Sequence, residues 1–125
     1  MKLWKSWWVM ITAMIHTIYA IIYFNDEWIL LFQNGFFNSI SSPRIALAVW
    51  FLLFGQLLFI FGQTLYQLEK HSKKVSTPIL YHLALMTLIG VCIMPASGFW
   101  FMLPPIIAFF RDNRLNNLTT SSIRT

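Results

Sequence analysis

Ionisable residues are scarce in this chain of 125 residues: Asp and Glu together number four, Lys and Arg nine, and charged residues make up only 10%. A water-soluble domain carries about a quarter charged residues, because most of its surface meets solvent. The shortage excludes a soluble enzyme and a nucleic-acid-binding domain, and the apolar content excludes a disordered chain. Cysteine occurs once, at Cys92, which excludes an intrachain disulfide and a cysteine-based metal cluster. What is abundant is apolar: hydrophobic residues reach 58%, aromatic residues 18%, and the mean hydropathy is +0.64. One domain of membrane-embedded helices is the composition's reading.

A helix needs roughly 20 apolar residues to cross the hydrocarbon core. Four candidates stand out, at about 6–24, 45–66, 79–94 and 97–110. Lys2 and Lys5 before the first imitate a signal peptide, but no small-residue cleavage site follows, so it reads as a retained anchor. Ser42 and Pro43 open the second span. Pro95, Ser97 and Gly98 break the chain between the third and the fourth, and the fourth is short and contains Pro104-Pro105. Charge bias sets the orientation. Lys2, Lys5, Lys70, Lys73, Lys74, Arg111, Arg114 and Arg124 fall on one side, against Arg44 alone on the other. Four crossings with both termini cytoplasmic fit this distribution. A short interfacial helix is expected over about 27–34, capped by Asp26 and ended by Asn34-Gly35, acting as a membrane-resting linker or as a lid. Residues 111–125 are polar and lack periodicity, which predicts a flexible cytoplasmic tail.

Polar groups inside a membrane are costly and point to function. No Asp, Glu, Lys or Arg falls within the expected spans, which argues against a proton-coupled exporter of cations. His16 and Gln56 lie roughly 15 to 16 Å from the cytoplasmic side, and Gln63 and His82 roughly 4 to 7 Å. Two histidines roughly 10 Å apart in depth do not suit a bis-histidine haem, and no cofactor or metal is expected. Pro104 and Pro105 cannot donate to the carbonyls of Trp100 and Phe101, which are left free near the depth of His16. Trp8, Thr12, His16, Tyr19 and Tyr23 follow steps of three and four, predicting an inward stripe. Gly55 and Gly62, with Phe59 and Tyr66, share a face edged by Gln56 and Gln63, and Ala13, Thr17 and Ala20 let the first helix approach closely. Two readings of these residues stand side by side. Either they are interhelical hydrogen-bonding glue, or His16, Trp8, Thr12, Tyr19, Gln56 and Trp100 form a pocket for the polar end of an apolar ligand.

The segments Ala13-Met14-Ile15-His16-Thr17, Gly35-Phe36-Phe37-Asn38-Ser39-Ile40, Trp50-Phe51-Leu52-Leu53-Phe54-Gly55 and Met94-Pro95-Ala96-Ser97-Gly98-Phe99-Trp100 resemble those of an uncharacterised family of small bacterial inner-membrane proteins. The resemblance covers nearly the whole chain except its tail, and the Pro-Ala-Ser-Gly-Phe-Trp stretch with Leu103-Pro104 is its most specific part. It departs at Ala20, where the family often has glycine. It implies a four-helix membrane protein from a bacterium and no particular activity, and it adds Asn38 and Ser97 to His16 as positions of interest.

The sequence therefore predicts an all-α, four-helix transmembrane bundle of the bacterial inner membrane, with an interfacial helix between spans one and two. Two function classes follow. One is a non-catalytic module that binds lipid or a small apolar ligand, or serves as an accessory subunit. The other is a dimeric transporter or a membrane-embedded enzyme using His16. Membrane lipid and a second copy or larger membrane complex are the expected partners, and nucleic acid is not. Gly55 and Gly62, with Ala13 and Ala20, are the expected packing residues, within the bundle or between two copies.

Overall fold

A computed structural model describes residues 3–123, with side chains to residue 118. Lys2 and Arg124, counted among the basic flanks, lie outside the described residues. Every regular element is helical: α1 (Trp4–Tyr23), α2 (Asn25–Gln33), α3 (Pro43–Lys70), α4 (Thr77–Ile93), a 3-10 helix (Gly98–Met102) and α5 (Leu103–Ile123).

Helix α3 begins where Ser42 and Pro43 predict: the Ser42 hydroxyl accepts from the Ile45 amide at 3.3 Å, and Pro43 occupies the first turn, where its missing N–H costs nothing. It runs one turn past the expected end, to Lys70, because Leu65 and Glu69 still face the interior. With 28 residues it spans about 42 Å. Helix α2 departs from expectation at its start. Phe24 ends α1 and also precedes α2, and its carbonyl accepts from Trp28 at 3.0 Å, so Asp26 sits in the first turn instead of capping it. There its charge still suits the helix dipole. Asn34 ends the helix and Gly35 follows at φ +89°, a left-handed value that glycine tolerates without strain. The Glu27–Arg44 ion pair and a bond from the Trp28 indole to the Ala20 carbonyl (3.2 Å) tie α2 across the ends of α1 and α3.

The last helix also differs. Gly98–Met102 is 3-10, and Pro104 and Pro105 sit in the first turn of α5, which tolerates them. Beyond Arg111, where a flexible polar tail was expected, α5 continues as helix to Ile123. Tertiary bonds hold its polar part: Lys5 to Asp112 (2.7 Å), Asn113 to the Val75 carbonyl (2.8 Å) and Lys74 to Asn117 (3.1 Å).

These bonds also order the bundle. The start of α1, the end of α3, the start of α4 and the middle of α5 meet at one end, so α1, α3, α4 and α5 alternate in direction. Helix α1 packs most extensively on α3 and also touches α5, and α5 packs on α4. The shared core is Val9 and Ala13 of α1, Leu58 and Leu65 of α3, Val75 and Leu80, and Met102, Ile106 and Phe109.

The outside is apolar. Among the described residues two helices, α1 and α3, are long and apolar enough to cross a membrane, and only 22% and 28% of their most hydrophobic windows is buried. A core helix of a soluble protein would bury most of such a window. Ile11, Met14, Ile15, Ile18 and Ile22 of α1 and Leu47, Trp50, Leu53 and Leu57 of α3 face outward instead. Beside α2, Phe37 is 91% exposed and Phe32 stacks on Phe36.

Candidate functional site

The contact between α1 and α3 is built from small residues. Ala13 and Ala20 of α1 are completely buried, and on α3 Gly55 lies against His16 and Thr17 and Gly62 against Met10. A Cβ on Gly55 would lie 2.7 Å from the Thr17 hydroxyl, and one on Gly62 would lie 2.6 Å from Met10 Cγ. The glycine face thus packs inside the bundle, against α1. This also corrects the expected inward stripe of α1. Its buried face is Val9, Ala13 and Ala20, whereas Trp8, Tyr19 and Tyr23 stay exposed and His16 half-buried on the flank. Close backbone approach selects the small residues for the contact ridge, and the aromatic rings are displaced to its rim.

On that rim His16 finds a specific partner. Its Nε2 lies 3.0 Å from the Phe51 carbonyl, its ring stacks on Phe51 at 4.1 Å, and Phe54 meets it edge-on at 5.6 Å. A carbonyl only accepts, so Nε2 carries the proton in this bond. Gly55 makes the contact accessible, since a Cβ there would lie 3.0 Å from His16 Cδ2. The Gln56 amide donates to the Thr17 hydroxyl over a long 3.4 Å, and Thr17 in turn donates to the Ala13 carbonyl at 2.9 Å. Tyr19 lies against Phe51 at 6.1 Å and stacks on Tyr23 at 5.3 Å. His16, Tyr19 and Gln56 therefore gather around the middle of α3.

Trp8, Thr12 and Trp100 bond elsewhere. Thr12 donates to the Trp8 carbonyl one turn back (2.9 Å), and the Trp100 indole donates to the Pro95 carbonyl (2.7 Å). The Trp8 indole donates to the Phe101 carbonyl at 2.7 Å. That acceptor is one of the two that Pro104 and Pro105 were expected to leave free. The other, on Trp100, accepts from the Leu103 amide through the tighter 3-10 turn. Trp8→Phe removes a donor that Pro105 cannot replace. The expected loss is about 1 to 2 kcal/mol of unfolding free energy, measured by denaturant titration in mixed micelles; an unchanged midpoint would show that the indole N–H is dispensable.

A charged cluster at the basic end escaped the sequence reading. Lys5 and Glu69, expected outside the spans, lie within α1 and α3, 2.8 Å apart, with side chains only 9% and 8% exposed. Lys5 also pairs with Asp112 at 2.7 Å and lies over the Phe109 ring at 4.9 Å, and Glu69 accepts from the Ser6 amide at 3.0 Å. The available signal was topological: all three residues end or begin spans on the same predicted side. At the far end, Ser97 caps the 3-10 helix through the Phe99 amide (3.5 Å), and Asn38 adopts φ +51° in the turn after Gly35.

Open grooves mark the surface among the described residues. One, of about 410 Å³, lies between α3 and α4 and is lined by Phe61, Pro78, Ile79, His82, Leu83 and Met86. Another, of about 570 Å³, runs along α1 and α3 past Trp7, Met10, Ile60, Gln63 and Gln67. No curated protein and no solved structure matches the chain. Residues 1–116 match the model of a family of unknown function, DUF6463, and the chain belongs to that family.

Proposed function

We propose that this protein is a multi-pass integral membrane module of the bacterial inner membrane, with four crossings and both termini cytoplasmic, which binds lipid without catalysing a reaction. The observation that carries this reading is the apolar, outward-facing surface of α1 and α3, for which hydrocarbon is the matching solvent. The polar groups inside support the non-catalytic part. His16 and Trp8 each spend a ring N–H on a backbone carbonyl, as interhelical fasteners do.

The groove between α3 and α4 suits an acyl chain. Its walls are apolar, and Pro78 and Ile79 place it beside the first turn of α4, just after the connection that carries Lys73 and Lys74. Basic residues there suit an anionic headgroup at the cytoplasmic surface. The test is membrane extraction followed by native mass spectrometry of the full chain in mild detergent. The protein is expected to resist alkaline carbonate and to retain phospholipid, with retention reduced by Met86→Trp, which fills the groove. Release by carbonate, or phospholipid retention unaffected by filling the groove, would overturn the corresponding part of the reading.

A further inference from the structure

Helices α1 and α4 contain no Asn or Gln, whereas α3 carries three glutamines, at positions 56, 63 and 67. Gly55 and Gly62 face α1, so the residues that follow them, Gln56 and Gln63, are turned outward, and both are exposed. Gln67 is exposed on the same side. The side-chain amides of Gln63 and Gln67 make no hydrogen bond among the described residues, and Gln56 has only its long contact with Thr17. Under the membrane reading, on which this inference rests, Gln56 lies near mid-bilayer. An amide facing hydrocarbon there is costly unless another chain completes its hydrogen bonds.

The spacing identifies that chain. Val49, Leu53, Gln56, Ile60, Gln63 and Gln67 follow steps of four and three, the heptad stripe through which two helices pack at a shallow crossing angle. The stripe contains no ionisable residue, so two copies meet without repulsion. An amide both donates and accepts, which makes each glutamine complementary to itself. Two copies inserted in the same direction relate by a two-fold axis along the membrane normal, and their α3 helices then run parallel with each residue opposite its own counterpart. We propose that α3 forms the interface of a parallel homodimer, in which Gln56 and Gln63 hydrogen-bond to the partner's Gln56 and the partner's Gln63.

Disulfide trapping in native membranes tests this on the full chain, in a Cys92→Ser background. Val49→Cys, Leu53→Cys and Ile60→Cys are expected to cross-link strongly, and Trp50→Cys, Leu57→Cys and Phe61→Cys weakly. Adding Gln56→Leu and Gln63→Leu to the Ile60→Cys protein is expected to weaken dimerisation about tenfold. These glutamines are exposed, so the substitutions leave the core intact. Cross-linking without periodicity, a maximum at Leu57 or Phe61, undiminished dimer in the leucine variant, or linkage to a different polypeptide would overturn the homodimer. If the protein still resists carbonate, the membrane reading survives that failure; release by carbonate takes both down.

Discussion

Lys5→Met is expected to lower unfolding free energy by about 3 to 5 kcal/mol, the usual cost of removing one member of a buried ion pair. Methionine keeps most of the volume, so packing around Phe109 changes little and the loss comes from charge. Among the described residues Glu69 is left with the Ser6 amide as its close partner, in a site 8% exposed. The pair as a whole is a different matter. Two ions taken from water lose hydration that their mutual attraction only partly restores, so Lys5→Met combined with Glu69→Met should recover much of the loss. That recovery enters a double-mutant cycle in full, so the coupling should be about 3 kcal/mol, the upper end for neighbouring residues. Asp112, with its side chain 42% exposed, is expected to matter less: Asp112→Asn should cost under about 1 kcal/mol. Denaturant titrations of wild type, the two single variants, the double variant and Asp112→Asn in mixed micelles measure all of this. Additive losses would mean that Lys5 and Glu69 act independently, and that the contact between them contributes no stability.

Such a cluster shows where sequence reasoning reached its limit. The long apolar helices were legible because each carries an unbroken apolar run, and length alone then separates it from a connection. Ser42-Pro43 and Asn34-Gly35 were legible because capping is local chemistry. Faces were harder. With hydrophobic residues on every side, periodicity cannot tell Ala13 from Trp8, and the contact ridge followed backbone approach while the stripe of polar and aromatic residues did not. The helical continuation of α5 past Arg111 depends on bonds to Lys5, Val75 and Lys74, residues far away in the chain. Lys5 and Glu69 looked like span flanks because their burial arises only when the start of α1, the end of α3 and the middle of α5 converge. At the candidate site, the Phe101 carbonyl released by Pro105 was foreseen, but the Trp100 carbonyl is taken by the Leu103 amide, and Trp8 as the donor to Phe101 was not foreseen, since that pairing joins residues 93 positions apart.

Gly90→Ala is expected to cost about 2 to 3 kcal/mol, near the upper end for adding one methyl group to a packed interior. Three ring atoms of Phe99 lie 2.5 to 2.6 Å from where that methyl would stand, so the ring face rests directly on the glycine backbone. A flexible side chain would swing aside, as Met10 can over Gly62. Phe99 cannot do so freely, because its backbone is set by the Pro95–Ser97 turn and the Ser97 cap. Moving the ring moves the 3-10 helix, and with it buried Met102 and the Phe101 carbonyl that Trp8 occupies. Gly98→Ala is the internal control. The nearest atom to its added Cβ is Phe101 Cδ2 at 3.8 Å, ordinary contact, so its expected effect lies within about 0.5 kcal/mol. Replacing the ring separates crowding from helix propensity, since alanine is the better helix former and should otherwise stabilise α4. Phe99→Val added to Gly90→Ala should therefore cost less than the two single losses combined, by about 1 kcal/mol or more. Equal stability of Gly90→Ala and wild type in thermal unfolding would show that α4 and the 3-10 helix do not meet as closely as this packing requires.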